Sequence, residues 1–160
     1  MKHLILSVTV LASFLFLSWN VMPSQNNPQA ELPIKGAYHT NSLIVSAPPM
    51  LSTQITGIGQ SSHLGKGSFV AYSTVNFTTP PPFSLGGTAV FTAANGDEFY
   101  TTFTGTAMPT GTGSNEIEMH HTITGGTGRF ENVSGTLNGY TIATPGHANG
   151  YVTYEGSISY

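Results

Sequence analysis

The run Ile123-Thr124-Gly125-Gly126-Thr127-Gly128-Arg129-Phe130-Glu131-Asn132-Val133-Ser134-Gly135 decides the fold. It sets a glycine cluster between two stretches of strand-forming residues. Glycine takes up the positive φ of a tight reversal at no steric cost. The run therefore predicts an antiparallel hairpin with Gly125, Gly126 and Gly128 in its turn. Arg129 is the only arginine of the chain. Beside such a turn it is suited to bond carbonyls or a carboxylate and so fix the hairpin. No helix pattern and no Lys-Ser/Thr ending follow, so the run is not a phosphate loop.

Period-two alternation extends outward from it. Upstream, Ile117, Met119, His121 and Ile123 share one face of a strand, and Glu116, Glu118 and His120 share the other. Downstream lie Val133 to Ala143 and a last strand with Val152, Tyr154, Ile158 and Tyr160 on one face. A second hairpin centres on Asn95-Gly96, a pair suited to a two-residue type I′ turn. That turn length sets Thr92 opposite Phe99. It also puts Phe91, Glu98 and Tyr100 together on one face. Earlier strands cover Leu51 to Gly59 and Gly67 to Phe77, and Pro80-Pro81-Pro82 marks a loop or rim. Aromatics on both strand faces suit a barrel whose outside is also covered. The expected fold is all-β: a small antiparallel, eight-stranded, up-and-down, calycin-like barrel.

Composition agrees. Charged residues are 7% of the 160, replaced by Thr, Ser, Gly and Asn, and branched and aromatic side chains pack well on a pleated surface. The formal net charge of −3 and the lack of a basic patch argue against nucleic-acid binding. Cysteine is absent, which removes disulfides, thiolate metal sites and a cysteine nucleophile.

Met1-Lys2-His3 followed by the uncharged apolar stretch Leu4 to Val21 reads as an export signal. Residues 1–24 form the signal or a retained membrane anchor, with cleavage falling as late as residue 30. Residues 25–35 are a linker and 36–160 the barrel domain. The expected location is periplasmic or extracellular.

The motifs Ser62 to Gly65 (Ser-His-Leu-Gly), Ala94 to Asp97 (Ala-Asn-Gly-Asp) and Gly125 to Phe130 (Gly-Gly-Thr-Gly-Arg-Phe) resemble, in this order, a group of uncharacterised bacterial exported proteins. The last motif is also similar to the hairpin of the allene oxide cyclase and dirigent type of β-barrel. The resemblance implies an eight-stranded barrel with an apolar cavity, often in dimers or trimers. In the better-known groups that cavity steers a cyclisation or radical coupling without a cofactor. Their cavity acids and arginines have no residue-by-residue match here, and fold does not fix function.

Candidate chemistry is sparse. Phe91, Glu98, Tyr100, His121 and His63 are the candidate ligand-binding residues. Glu98 and His121 alternate with apolar side chains. Turned inward, either would have a shifted proton affinity and could act as an acid or base. The competing assignments are a solvent-facing Glu98 and a core His121 bonded to backbone. His63 either closes a barrel mouth or touches a ligand. Glu116, Glu118 and His120, with His63 and His147, are metal-ligand types. Same-face residues stand about 7 Å apart along a strand, too wide for one ion, so no metal is expected. No Gly-x-Ser-x-Gly elbow marks a hydrolase. No catalytic residue is identified and no cofactor is expected.

Three readings follow. The favoured one is an exported barrel that binds a small apolar or amphipathic molecule in its interior. The second is a cofactor-free cyclase or isomerase of allene oxide cyclase type. The third is a structural or protein-interaction barrel without a ligand. A dimer or trimer is compatible with each. An outer-membrane barrel fits the aromatic C-terminus, but Glu, Thr and Asn on both strand faces speak against a lipid-facing band.

Overall fold

The computed structural model describes residues 30–160. The predicted signal or anchor lies outside the described residues. Eight strands run in chain order: β1 Leu32–Ser46, β2 Met50–Ser61, β3 Gly65–Asn76, β4 Phe83–Thr92, β5 Glu98–Pro109, β6 Asn115–Gly126, β7 Ser134–Ala143 and β8 Asn149–Ser159. Each is antiparallel to the next, and β8 pairs with β1 to close the barrel. This is the expected all-β, eight-stranded, up-and-down architecture. Residues 32–35, read from sequence as linker, belong to β1 and pair with β8 from Leu32↔Ile158 to Lys35↔Glu155. Pro33 hid this strand, because proline inside a run argues against a ladder.

The inward face is mostly apolar, with Ser61, Ser73, Thr101 and His121 buried among the apolar side chains, and its aromatic residues interlock. Tyr38, Phe69, Phe91, Phe99, Phe103 and Tyr154 are all buried. Tyr38 meets Phe69 edge-on at 5.3 Å between ring centroids, and Tyr154 meets Phe91 edge-on at 5.3 Å. Such geometry pairs a positive ring edge with a negative face. Burying each large side chain contributes about 1.5–3 kcal/mol.

Two connections differ from the sequence reading. The β4–β5 loop has three residues, Ala94, Asn95 and Gly96. Ala93 N–H donates to Asp97 O at 2.8 Å, Gly96 N–H donates to Ala93 O at 3.0 Å, and Gly96 has φ +89°. This is a type I turn closed by a left-handed glycine, the second common hairpin solution. The extra residue shifts the register by one, so Phe91 faces Phe99 and Thr92 faces Glu98. A one-residue slip exchanges faces: Phe91 and Phe99 both point inward, whereas Glu98 and Tyr100 point outward.

The glycine run is also not a tight hairpin turn. Gly125, at φ +142°, sits beside a bulge in β6, where the pairing steps from Tyr100↔Gly125 to Thr101↔Ile123. The chain then makes a 3-10 turn, Gly128–Phe130, before β7. Phe130 is fully buried there, stacked on Tyr160 at 5.9 Å and edge-on to Phe99 at 5.6 Å. The run is a plug for one end of the barrel.

The two ends differ in chemistry. The connections β2–β3, β4–β5 and β6–β7 meet at the plugged end, which carries Asp97, Arg129 and Glu131. The four connections at the opposite end, residues 47–49, 77–82, 110–114 and 144–148, contain no Lys, Arg, Asp or Glu. Leu43, Ile44, Val45, Met50, Met108 and Ile142 are exposed around that rim, with Glu116 in register between Met108 and Ile142.

Candidate functional site

At the plugged end the three sequence motifs converge. Arg129 Nη2 donates to the His63 carbonyl, and Arg129 N–H donates to Asp97 Oδ2 at 3.2 Å. The Arg129 Nε stands 3.9 Å from the same carboxylate oxygen. Asn95 Nδ2 donates to Asp97 Oδ2 at 2.7 Å, and Ala94 N–H donates to Leu64 O at 3.0 Å. Arg129 thus bonds a carbonyl and a carboxylate, but on neighbouring hairpins and not in its own turn. His63, at φ +68°, has its Nε2 3.1 Å from Pro33 O, tying the β2–β3 turn to β1. These contacts seal the end with Leu64 and Phe130 beneath them, both buried.

Among the described residues, His121 is the one fully buried imidazole, at the barrel centre. His121, 1% exposed, lies between Phe103 at 4.7 Å and Tyr154 at 5.2 Å, with Phe91 at 6.1 Å. Its Nδ1 is 3.0 Å from Thr101 Oγ1, and its Nε2 has no partner. Burial, aided by the neighbouring His120, pulls its pKa down to about 4, so the ring is neutral near neutral pH. Neutral imidazole has one acceptor and one donor nitrogen. Burial likewise raises the proton affinity of Tyr38 and Tyr154. The Tyr38 hydroxyl is buried without a partner. A gap of about 10 Å³ beside Tyr38, Ser61, Phe91 and Tyr154 is room for at most a single water. The centre is therefore uncharged and filled by side chains.

Of the sequence-selected candidates, the structure brings Phe91 and His121 together inside. Glu98 and Tyr100 lie half-exposed on the outer wall, where Thr92 Oγ1 donates to Glu98 Oε1 at 3.3 Å. The candidate grouping of Phe91 with Glu98 and Tyr100 is thereby corrected by the three-residue turn. Glu116, Glu118 and His120 are exposed, and His120 Nδ1 meets Asn138 Oδ1 at 2.7 Å. Among the described residues no three His, Asp or Glu side chains gather as metal ligands. Sequence reasoning missed Tyr38, Thr101 and Tyr154 as neighbours of the centre. Their alternation was readable in part, but which strands stand opposite across a barrel was not.

The end with uncharged loops is the less completely buried one. Leu51, Ile55, Phe77, Phe83 and Ile117 pack on the core yet stay partly exposed, and the Phe77 and Phe83 rings meet edge-on at 4.6 Å. They form an incompletely buried apolar layer inside the rim of exposed aliphatic residues.

The fold is that of a dirigent-like barrel. The chain superposes on the solved structure of the pterocarpan synthase dirigent protein GePTS1 with a TM-score of 0.52 and 15% identity, over 87% of this chain and 97% of that one. At this identity the likeness is one of fold. No protein-family model matches the sequence. No curated protein matches it either.

Proposed function

We propose that this is an exported binding barrel for a small, uncharged apolar or amphipathic molecule, taken at the end with uncharged loops. The observation that carries this is the difference between the two ends. One is latched and plugged by Arg129 and Phe130. The other offers Phe77, Phe83, Leu51, Ile55 and Ile117 inside a rim whose connecting loops carry no charge. Binding sites of this kind are concave and mostly apolar, with few polar groups. Thr53 and Thr141, half-buried on the inward side of β2 and β7, supply hydroxyls for a polar tip. The narrower kinship with the exported bacterial group rests on its three motifs, which meet at one end of this barrel.

A second reading, a cofactor-free cyclase, draws on two observations: the unpartnered Nε2 of His121 and the pterocarpan synthase named for the similar barrel. It requires a substrate to displace Phe91 or Phe103 and reach that nitrogen. The binding reading requires no such opening.

Native mass spectrometry of the protein purified from the exported fraction tests both. A co-purifying apolar compound, released by denaturation and lost in Phe83→Asp, supports binding at the end with uncharged loops. Conversion of that compound by wild type but not by His121→Phe supports the cyclase. An apo mass that a panel of fatty acids, terpenoids and flavonoids leaves unchanged overturns the binding reading.

A further inference from the structure

The outer wall carries a shallow groove. Along one rung of the sheet, Gly57 of β2, Thr40 of β1 and Gly150 of β8 stand opposite one another. A Cβ on Gly57 would strike the inward ring of Phe69, and one on Gly150 would meet Thr40 Oγ1. This rung therefore faces the interior and leaves bare backbone outside. The rungs on either side point outward. One aligns Ile58, His39 and Tyr151, and the other aligns Thr56, Asn41 and Asn149. All six side chains are exposed. Two residues of strand separate the walls, about 7 Å. A shallow depression of about 270 Å³ lies between them, lined by five of these six side chains, and Tyr151 flanks it behind His39.

The two walls are chemically opposite. On the first, Ile58 is 71% exposed, and the His39 ring meets Tyr151 edge-on at 5.4 Å. On the second, Asn41 Nδ2 donates to Asn149 Oδ1 at 3.0 Å, and Thr56 Oγ1 donates to the Asn41 carbonyl at 3.4 Å. That pairing fixes both amides while leaving Asn41 Oδ1 to accept and Asn149 Nδ2 to donate. No Lys, Arg, Asp or Glu lines the groove. A charged ligand would find no counter-charge here. A wholly apolar one would desolvate two amides and a hydroxyl without replacing their bonds.

A neutral ring with one C–H face and an edge of hydroxyls satisfies both walls. We propose that this groove binds an uncharged sugar ring. Its C–H face lies on Ile58 and the His39 ring, which Tyr151 backs edge-on, and its hydroxyls bond Asn41, Asn149 and Thr56. The floor is paired β-ladder, so little backbone order is lost on binding. The site lies on the outside of the wall and does not depend on the reading proposed for the barrel end.

The test is a ¹H–¹⁵N titration of the intact exported protein with glucose, galactose, mannose, N-acetylglucosamine and their β-1,4 dimers. At least one sugar is expected to give saturable shifts centred on His39, Asn41, Thr56, Ile58 and Asn149. Asn149→Ala, an exposed change, should weaken it roughly 3- to 10-fold, the worth of one or so hydrogen bonds. Tyr151→Ala should weaken it by a similar factor. Cyclohexanol, with C–H faces but a single hydroxyl, should bind more weakly than the sugar. No shift at about 100 mM sugar, where a millimolar site is filled, overturns the proposal. So do shifts centred elsewhere, unchanged affinity in both variants, or equal binding of cyclohexanol.

Discussion

Arg129 donates to the main-chain carbonyl of His63, a residue 66 positions earlier in the chain. The bond ties the β6–β7 plug to the β2–β3 turn, and Asp97 brings in the β4–β5 turn through the Arg129 main chain and side chain. Arg129→Ala should lower stability by about 1–2 kcal/mol. That is the range for a charge-assisted bond, reduced because the side chain is 44% exposed. Arg129→Lys should recover only part of it, since lysine lacks the planar fork. Urea midpoints at constant m-value check both.

His121 makes stability pH-dependent. Its folded pKa is depressed to about 4 from the ordinary 6.5, by burial first and by His120 second. The folded state therefore binds fewer protons than the unfolded state between those values. The stability contribution is complete above about pH 6.5 and declines as pH falls through about 4. Across that window the loss is about 3 kcal/mol, an order-of-magnitude figure from roughly 1.4 kcal/mol per pH unit. His121→Phe should flatten the profile between pH 4 and 6.5. An unchanged slope in that variant would assign the acid sensitivity to other groups.

Tyr38 carries a buried hydroxyl without a partner. Tyr38→Phe keeps the ring contacts with Phe69 and Phe91. An unsatisfied buried polar group costs about 1–3 kcal/mol. The variant is therefore expected to match or exceed wild type in thermal unfolding temperature. A clear drop would mean that an internal water serves the hydroxyl in the gap beside Ser61.

Two glycines should respond to alanine for different reasons. At Gly87 an added Cβ would run into the Tyr72 carbonyl and the Phe103 ring. Gly87→Ala must push β3 from β4 or move a core aromatic, and it should abolish soluble folded protein or cost more than about 3 kcal/mol. At Gly96 the Cβ position is open, but φ is +89°. Gly96→Ala should cost only about 1–2 kcal/mol, the strain of a left-handed residue. Comparing far-UV spectra and unfolding midpoints separates the two cases.

The strand pattern was readable because inward residues alternate with outward ones over most strands. Met119, His121 and Ile123, for example, fall on one face in sequence and are all buried. The Asn95-Gly96 turn was readable as a turn but not in length, and one residue of length decided on which wall Glu98 stands. The plug at Phe130 left a trace, an aromatic residue inside a glycine loop that needs burial somewhere. The centre around His121 was less legible. Its neighbours Thr101, Phe91 and Tyr154 come from β5, β4 and β8, brought together by barrel closure and not by local periodicity.

Closure by β1 and β8 also sets an order of events. Leu32 pairs with Ile158, so the first strand cannot find its second neighbour until the last strand has been made. Before then every growing chain presents two unpaired ladder edges, and pairing across such a sequence separation is slow. The barrel must be finished late, from a nearly complete chain. A protease acting on chains stalled short of Tyr154 should cleave within strands that resist it once the ring is shut.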